Sequence, residues 1–341
     1  MRYFASIARN AVITTLASGM MAAAVTAAPP TLRFATEEPF GTPPRVACQY
    51  GLEWFAKAVP KATGDAVQVK LYSNATLGSE KELIKSVASG VIDATVLSPG
   101  NAAGLIPELQ LFSAGYLFTS FEHARKVLER DDFFDRMQQI VRDKKLGFQL
   151  AGISLTGSRN LYNRIKVINS LDGLSGLKMR VMSSPTEMKV WSALGTLPTT
   201  IPGPEIYSAL QSGVVDAAES SIPAIVGGKY YEVAPNITLT NHQFNLHLYL
   251  IGDRALAKVP AAARPALLKA FRDASRIQID AAIKLTEEKL QFLRTQPNVT
   301  VTAIDTAPFA KRLASIQDEV AANLKVQDLL QMIRSGNPEG K

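Results

Sequence analysis

The stretch that decides the fold is EIYSALQSGVVD, residues 205–216, which follows GLKMRV at residues 176–181. The first run predicts a helix that ends at Gly213 before a strand begins, because a left-handed helix cap costs glycine little. The second run predicts a strand with Arg180 near its end. An echo occurs earlier in the chain, where SGVIDA at 89–94 parallels SGVVDA at 212–217. Either the echo is a chance match at a common type of junction, or the chain contains two similarly built α/β domains.

The first third of the chain predicts a parallel βαβ unit. A strand signal at 31–35 leads through a proline-rich loop into a helix at about 45–63, and an alternating strand follows at 67–72. Ser79 and Glu82 then form a predicted capping box that begins a helix ending near Gly90.

The middle and the end of the chain show similar signals for the starts and ends of helices and strands. Ser184 to Glu187 predicts a second capping box with proline in the first turn. Residues 122–144 predict helical structure, and strands are predicted at 148–155 and 236–250. From 261 to 296, apolar residues recur at three- and four-residue spacing, which predicts one helix of about 30 residues or roughly 45 Å.

The ends and the composition limit the possible classes of protein. Arg2 and Arg9 flank an apolar stretch of about 15 residues, too short to span a bilayer, and the small residues up to Ala27 fit a cleavage site. We therefore expect export to the periplasm with cleavage near Ala27. The net charge is +7, and loss of both arginines leaves +5. These charges are dispersed, so nucleic-acid binding is not expected and an anionic ligand fits better. One cysteine, Cys48, cannot form an internal disulfide.

Several segments, taken in order, resemble the solute receptors of tripartite ATP-independent periplasmic (TRAP) transporters. They are the strand and Pro-containing loop at 33–43, Leu71-Tyr72 with LGSE at 77–80, GVID at 90–93, GSR at 157–159, LSGLKMR at 174–180 and the run at 205–216. The resemblance covers about Leu32 to Phe309, nearly the whole mature chain.

The resemblance implies a two-lobed, periplasmic-binding-protein-like α/β fold, in which each lobe is a mixed sheet flanked by helices and one long helix spans both lobes. It also implies a receptor that closes over a small organic acid and delivers it to TRAP membrane subunits. The expected organisation is a signal peptide at 1–27, a first lobe at 28–152, a second lobe at 153–239, a return to the first lobe at 240–260, a bridging helix at 261–296 and a C-terminal segment packed on the lobes at 297–341.

Two arginines carry the predicted chemistry. Arginine suits carboxylate recognition because its planar guanidinium offers parallel N–H donors and stays charged. The resemblance assigns Arg180 as the carboxylate clamp and Arg159, in the GSR segment, as its helper. A surface salt bridge is the alternative for either residue, and Arg164 and Lys166 fit a solvated face more simply.

Other polar residues are expected on the cleft wall. The family often has asparagine where this chain has Ser220, and often has an aromatic residue near Gly203, whose absence predicts more room or a less apolar wall. The remaining candidates are Glu219, Glu37, and Ser98 and Asn101, which follow a predicted strand at 91–97. A carboxylate there recognises hydroxyls or an amine, although a hydrated loop is the simpler interpretation for Glu37 and its neighbour Glu38.

No other chemistry is indicated by the sequence. His242 and His247 are five residues apart on a predicted strand and so point to opposite faces, which argues against a zinc site; no metal, cofactor or catalytic residue is predicted. The alternatives to a TRAP receptor are an exported α/β enzyme acting on a carboxylic acid, or a receptor for another transporter or a sensor. We expect a monomer, with a dimer left open.

Overall fold

Nine strands and twelve helices form the described part of the chain. The computed structural model describes residues 28–337, so the predicted signal peptide lies outside the described residues. The strands are β1 Thr31–Ala35, β2 Gln68–Tyr72, β3 Ala94–Leu97, β4 Phe148–Asn163, β5 Lys178–Val181, β6 Leu197–Thr200, β7 Ala217–Ser221, β8 Asn236–Gly252 and β9 Thr300–Ala303. The helices are α1 Ala47–Ala62, α2 Glu80–Ser89, α3 Pro99–Ala102, α4 Phe121–Leu128, α5 Asp131–Asp143, α6 Pro185–Ala193, α7 Ile206–Ser212, α8 Ile222–Gly227, α9 Asp253–Lys258, α10 Arg264–Thr295, α11 Ala307–Leu324 and α12 Gln327–Ser335.

The two lobes are built on the same plan. In the first lobe the strand order is β2-β1-β3, and in the second it is β6-β5-β7, with parallel pairing inside each trio. The third strand of each trio begins just after a helix that ends at a left-handed glycine, Gly90 (φ 79°) or Gly213 (φ 74°). The echo in the sequence therefore marks two similarly built α/β units rather than a chance match.

Two long antiparallel strands, β4 and β8, connect the lobes. At one end they continue the first lobe's sheet through β3, which pairs with β8; at the other they meet β7 and β9. Their mutual register shifts between Leu155 and Gly157 and again between Arg159 and Leu161. Neither strand breaks at 152/153 or at 239/240, where we placed the lobe boundaries, and those positions remain a prediction.

The long helix is present and spans both lobes. Helix α10 has 32 residues, or about 48 Å at about 1.5 Å per residue. It packs on α1 and β4 in the first lobe and on α8 in the second. In the first lobe its Phe271 joins a buried aromatic cluster with Phe34, Phe55 and Tyr249, with the Phe55 and Phe271 ring centroids 4.4 Å apart.

Local expectations held with two differences. The capping box of α2 is complete, since the Glu82 carboxylate accepts from the backbone N–H of Ser79 at 2.7 Å. The second capping box is only half formed: Ser184 accepts from the Glu187 N–H, but the Glu187 carboxylate accepts from the Met182 N–H instead. The helical region at 122–144 is two helices, α4 and α5, because the chain turns at residues 129–130.

Candidate functional site

A cavity of about 320 Å³ lies between the lobes, at the carboxyl ends of the strands of both trios. Ligand sites of α/β sheets gather at such ends because the loops that follow the strands converge there. Its first-lobe wall contains Glu37, Glu38, Glu80, Ser98 and Asn101; its second-lobe wall contains Arg159, Arg180, Gly203, Ser220 and Tyr230; and Thr156 and Asn245 lie on the long strands. The two walls differ in charge, acidic on one side and basic on the other.

Arg180 is a buried cation that forms no ion pair with any residue from 28 to 337. Its strand β5 places it on the cavity wall with only 3% of the residue exposed. Nε donates to the carbonyl of Ile201 at 2.9 Å, which fixes the guanidinium plane. The two terminal nitrogens donate to none of the residues from 28 to 337, and no carboxylate in that range pairs with the side chain. A cation held this way is costly unless an anion completes it.

Arg159 is also buried, but its charge is already paired. Nη2 donates to Glu219 Oε1 at 2.6 Å and to the Glu219 carbonyl at 2.7 Å, and Nε pairs with the other carboxylate oxygen. His242 Nε2 lies 3.4 Å from the same carboxylate. Burial is the largest single influence and acts to raise the pKa of Glu219, but the charges and hydrogen bonds of Arg159 and His242 together outweigh it and hold that pKa at about 2. Nη1 remains on the cavity side without a hydrogen bond to the described residues.

The acidic wall comes from two loops of the first lobe. Glu37 Oε2 accepts from the backbone N–H of Glu80 at 2.7 Å. Burial raises the pKa of Glu37 to about 8, and the nearby Glu80 charge adds to the rise. Burial likewise raises the pKa of Glu80. The wall is thus rich in acceptors and, at neutral pH, partly protonated.

Glu80 organises the two predicted polar residues of this wall. It accepts from the Ser98 N–H and from Asn101 Nδ2, both at 2.8 Å. Asn101 Oδ1 in turn accepts from the backbone N–H of Ser183 at 3.2 Å, which is a contact between the lobes. Ser98 Oγ accepts from Asn245 Nδ2, and Asn245 Oδ1 is a buried acceptor that bonds to none of the residues between 28 and 337.

The two departures from the family pattern behave differently. Ser220 lies on the cavity wall, and its hydroxyl bonds to none of the residues described. The room predicted at Gly203 is not empty: a Cβ there would lie 2.2 Å from Glu37 Oε1. The carboxylate of the opposite lobe occupies the space of a side chain, so the first alternative, more room, was wrong, whereas the second, a less apolar wall, agrees with the carboxylate found there.

Six of the seven predicted site residues line the cavity, and Glu219 does not. Glu219 is fully buried behind Arg159, so its place is that of a positioning residue rather than a wall residue. Sequence reasoning missed Glu80, Asn245 and Tyr230. Glu80 had a signal, since it is the last residue of the family-like segment at 77–80 and stands in the first turn of a capped helix, but Asn245 and Tyr230 had none.

Residues set aside on the sequence lie away from the cavity or deep in the core. His242 and His247 point to opposite faces of β8, toward Glu219 and toward Gln278 of α10. Cys48 is 1% exposed, and burial raises its thiol pKa, which fits a core residue. Arg164 pairs with Asp216 at 3.7 Å on the surface.

These features define a two-lobed binding protein whose cleft is suited to an anion. Comparisons with known proteins support this class. A galactonate-bound sugar acid binding protein from Advenella mimigardefordensis matches with a TM-score of 0.83 and 26% identity, covering 91% of this chain and 99% of that one. A TRAP periplasmic solute binding protein from Sulfitobacter sp. with bound α-D-taluronate matches with a TM-score of 0.84 and 28% identity, covering 90% and 98%. The sialic acid-binding periplasmic protein SiaP of Vibrio cholerae is 25% identical over 76% of this chain and 79% of its own.

The family model of bacterial extracellular solute-binding proteins, family 7, matches residues 42–323. The chain belongs to this family, the solute receptors of TRAP transporters. Between residues 28 and 337, no helix combines the length and the apolar character that crossing a membrane requires.

Proposed function

We propose that this receptor binds a small organic acid through Arg180 and passes it to TRAP membrane subunits. The observation that carries the proposal is the buried Arg180 guanidinium, whose two terminal nitrogens face the cavity without a counter-charge among residues 28–337. A ligand carboxylate would accept both N–H bonds in a fork geometry. Nη1 of Arg159 adds a third donor from the same wall.

The acidic wall supports a ligand that has one carboxylate and several hydroxyls. Glu37 and Glu38 line the cavity. A second acid group placed against them would add negative charge beside Glu37, whose pKa is already raised by burial and by the charges of Glu80 and Glu38, which is unfavourable. Hydroxyls instead donate to carboxylates and accept from Ser220 or Asn101. Galactonate and taluronate, the ligands bound to two similar proteins, each combine one carboxylate with several hydroxyls.

Binding and closure follow from the charges of the two walls. The acid enters an open, hydrated cleft, its carboxylate neutralises Arg180, and its hydroxyls join the wall of Glu37 to the wall of Arg180. The closed form then docks on the membrane subunits. We further propose that the protein acts as a periplasmic monomer after cleavage near Ala27, with the lobe boundaries given by the sequence.

The test is a thermal-shift screen of refolded protein, since refolding removes any ligand carried through purification. Aldonates and uronates should raise the melting temperature, whereas the parent neutral sugars and succinate should not. The neutral sugars lack the carboxylate for Arg180, and succinate brings a second charge to the acidic wall. A shift by succinate as large as that by the sugar acids would contradict the proposed ligand class.

One observation bears on the alternative that the protein is an exported enzyme. A carboxyl with a pKa of about 8 in a cleft, as at Glu37, is also typical of catalytic acids. We propose that Glu37 binds rather than catalyses, because its Oε2 is held by the Glu80 N–H. Proton NMR of a bound sugar acid over days should show the unchanged compound, and any product would favour an enzyme.

A further inference from the structure

Behind the acidic wall, Glu38, Glu80 and His247 form a buried cluster. One carboxylate oxygen of each glutamate and a ring nitrogen of His247 all lie within 4.8 Å of one another. His247 is 1% exposed, and its Nε2 lies 3.4 Å from Glu38 Oε1 without forming a hydrogen bond among the described residues. Two carboxylates and a histidine are a ligand set typical of a metal, so the protonation of that nitrogen decides what the cluster does.

The other ring nitrogen reveals the protonation. Gln278 of helix α10 places its Nε2 3.1 Å from His247 Nδ1 and 2.9 Å from the carbonyl of Leu155. A carbonyl only accepts, so the Gln278 NH₂ group must face Leu155, and its second hydrogen then points at Nδ1. Tyr249 fits this orientation, with its hydroxyl donating to Gln278 Oε1 at 2.6 Å.

Because Nδ1 accepts from Gln278, it carries a lone pair, and the single proton of a neutral His247 is on Nε2. A metal at the cluster would need the lone pair on Nε2 instead, with Nδ1 protonated and donating to an acceptor. The hydrogen-bond polarity imposed by Gln278 therefore does not suit a metal. It suits a donor that supports two carboxylates.

We propose that Gln278 is a positioning residue that holds His247 in the Nε2–H tautomer, so that His247 backs the acidic wall as a hydrogen-bond donor. Glu38 and Glu80 are thereby kept as acceptors in the cavity wall, and the helix that spans both lobes sets the polarity of the ligand site. The second half of this inference rests on the proposed function. The tautomer itself does not.

The decisive measurement is the ring nitrogen NMR spectrum of ¹⁵N-histidine-labelled, ligand-free protein. The chain has three histidines, so the signals of His247 are identified by their loss in His247→Gln. We expect Nε2 in the protonated range and Nδ1 in the unprotonated range, and no change on addition of equimolar Zn²⁺. Protonation at Nδ1 in the unaltered protein, or coordination of Zn²⁺ by His247, would overturn the proposal.

Two variants test the role of Gln278. Gln278→Glu replaces the donor by an acceptor, and we expect His247 Nδ1 to become protonated. Tyr249→Phe is the matched control, because the Leu155 carbonyl still orients the amide, and the wild-type tautomer should remain. An unchanged tautomer in Gln278→Glu would refute the positioning role.

The functional consequence is measured separately with D-galactonate as the probe. Gln278→Glu should weaken its binding by about tenfold or more, about 1.4 kcal/mol, whereas Tyr249→Phe should stay within about twofold. Wild-type affinity in Gln278→Glu, with the tautomer changed, would refute the link to the ligand site. If galactonate fails to bind the unaltered protein, the proposed ligand class fails, while the tautomer measurement still decides the first half.

Discussion

Replacing Arg180 by methionine should abolish ligand binding without harming the ligand-free fold. Methionine keeps much of the length of the side chain and removes its charge. The ligand-free protein loses the charge-assisted bond from Nε to the Ile201 carbonyl, worth about 1.5 to 3 kcal/mol, but it also loses a buried charge that lacks an ion-pair partner within residues 28–337. The two changes oppose each other, so the free energy of unfolding should stay within about 1 kcal/mol of wild type or rise.

The loss of binding is estimated from the two free nitrogens of Arg180. Charge-assisted hydrogen bonds contribute about 1.5 to 3 kcal/mol each, so two of them predict an affinity loss of at least roughly 100-fold. Urea unfolding of refolded protein gives the stability, and calorimetric titration with the acid found by thermal shift gives the affinity. Arg180→Lys keeps the charge without the fork and should fall between the two proteins.

Arg159→Met is the matched control, since its partner Glu219 would be left as an unpaired, fully buried carboxylate. This variant should lose about 3 to 5 kcal/mol of stability in the absence of ligand. The reasoning is refuted if Arg180→Met is destabilised as much as Arg159→Met, or if it binds the acid with wild-type affinity.

Three further variants probe the walls. Burial raises the pKa of Glu37 from 4.5 to about 8, so between these pH values the folded protein binds a proton that the unfolded protein has lost. The free energy of unfolding should therefore fall as the pH rises from 4.5 to 8. Glu37→Gln should reduce that fall by roughly 1 to 3 kcal/mol, as measured by urea unfolding at about pH 5 and pH 8. Gly203→Ala must displace the Glu37 carboxylate, and should weaken ligand binding about tenfold in titration while having no further effect in a Glu37→Ala background. The pKa of Glu219 is lowered from 4.5 to about 2, so its ionised form stabilises the fold above pH 4.5, and this stabilisation is lost as the pH falls to 2. Glu219→Gln should lower the free energy of unfolding by about 3 kcal/mol at pH 7. In denaturation curves, the difference in stability between the variant and the wild type should shrink toward pH 2.

Local patterns predicted the elements of the fold well, because each depends on neighbouring residues. The capping box at Ser79 and the glycines at 90 and 213 ended or began helices where expected. The half-formed box at Ser184 shows the limit of such patterns. Glu187 lies 1% exposed near the junction of the lobes, and its carboxylate turns inward to the Met182 N–H and Ser113 Oγ, partners that no local rule supplies.

The candidate site was predicted only where one residue type implies one chemistry. Arginine is the residue type that binds carboxylates, so Arg180 and Arg159 were predicted as site residues. Ser98 and Asn101 were predicted because they follow a strand, and all four line the cavity. The sequence did not show which arginine is already neutralised, because Arg159 and Glu219 are 60 residues apart and meet only through the pairing of β4 with β7. For the same reason the sequence left two alternatives at Gly203, more room or a less apolar wall, and did not show that Glu37 of the other lobe fills the space.

The contrast between the two arginines explains how one wall can serve both folding and binding. Arg159 is neutralised by Glu219 within the second lobe, so the free-energy cost of burying its charge is offset whether or not a ligand is present. It presents one fixed N–H to the cavity. Arg180 lacks such a partner in residues 28–337, so closure of the lobes around an empty cavity would bury its charge unpaired. An acid removes that penalty only in the closed form, whereas a neutral sugar of the same shape does not. The uncompensated arginine thus makes closure itself selective for an anion.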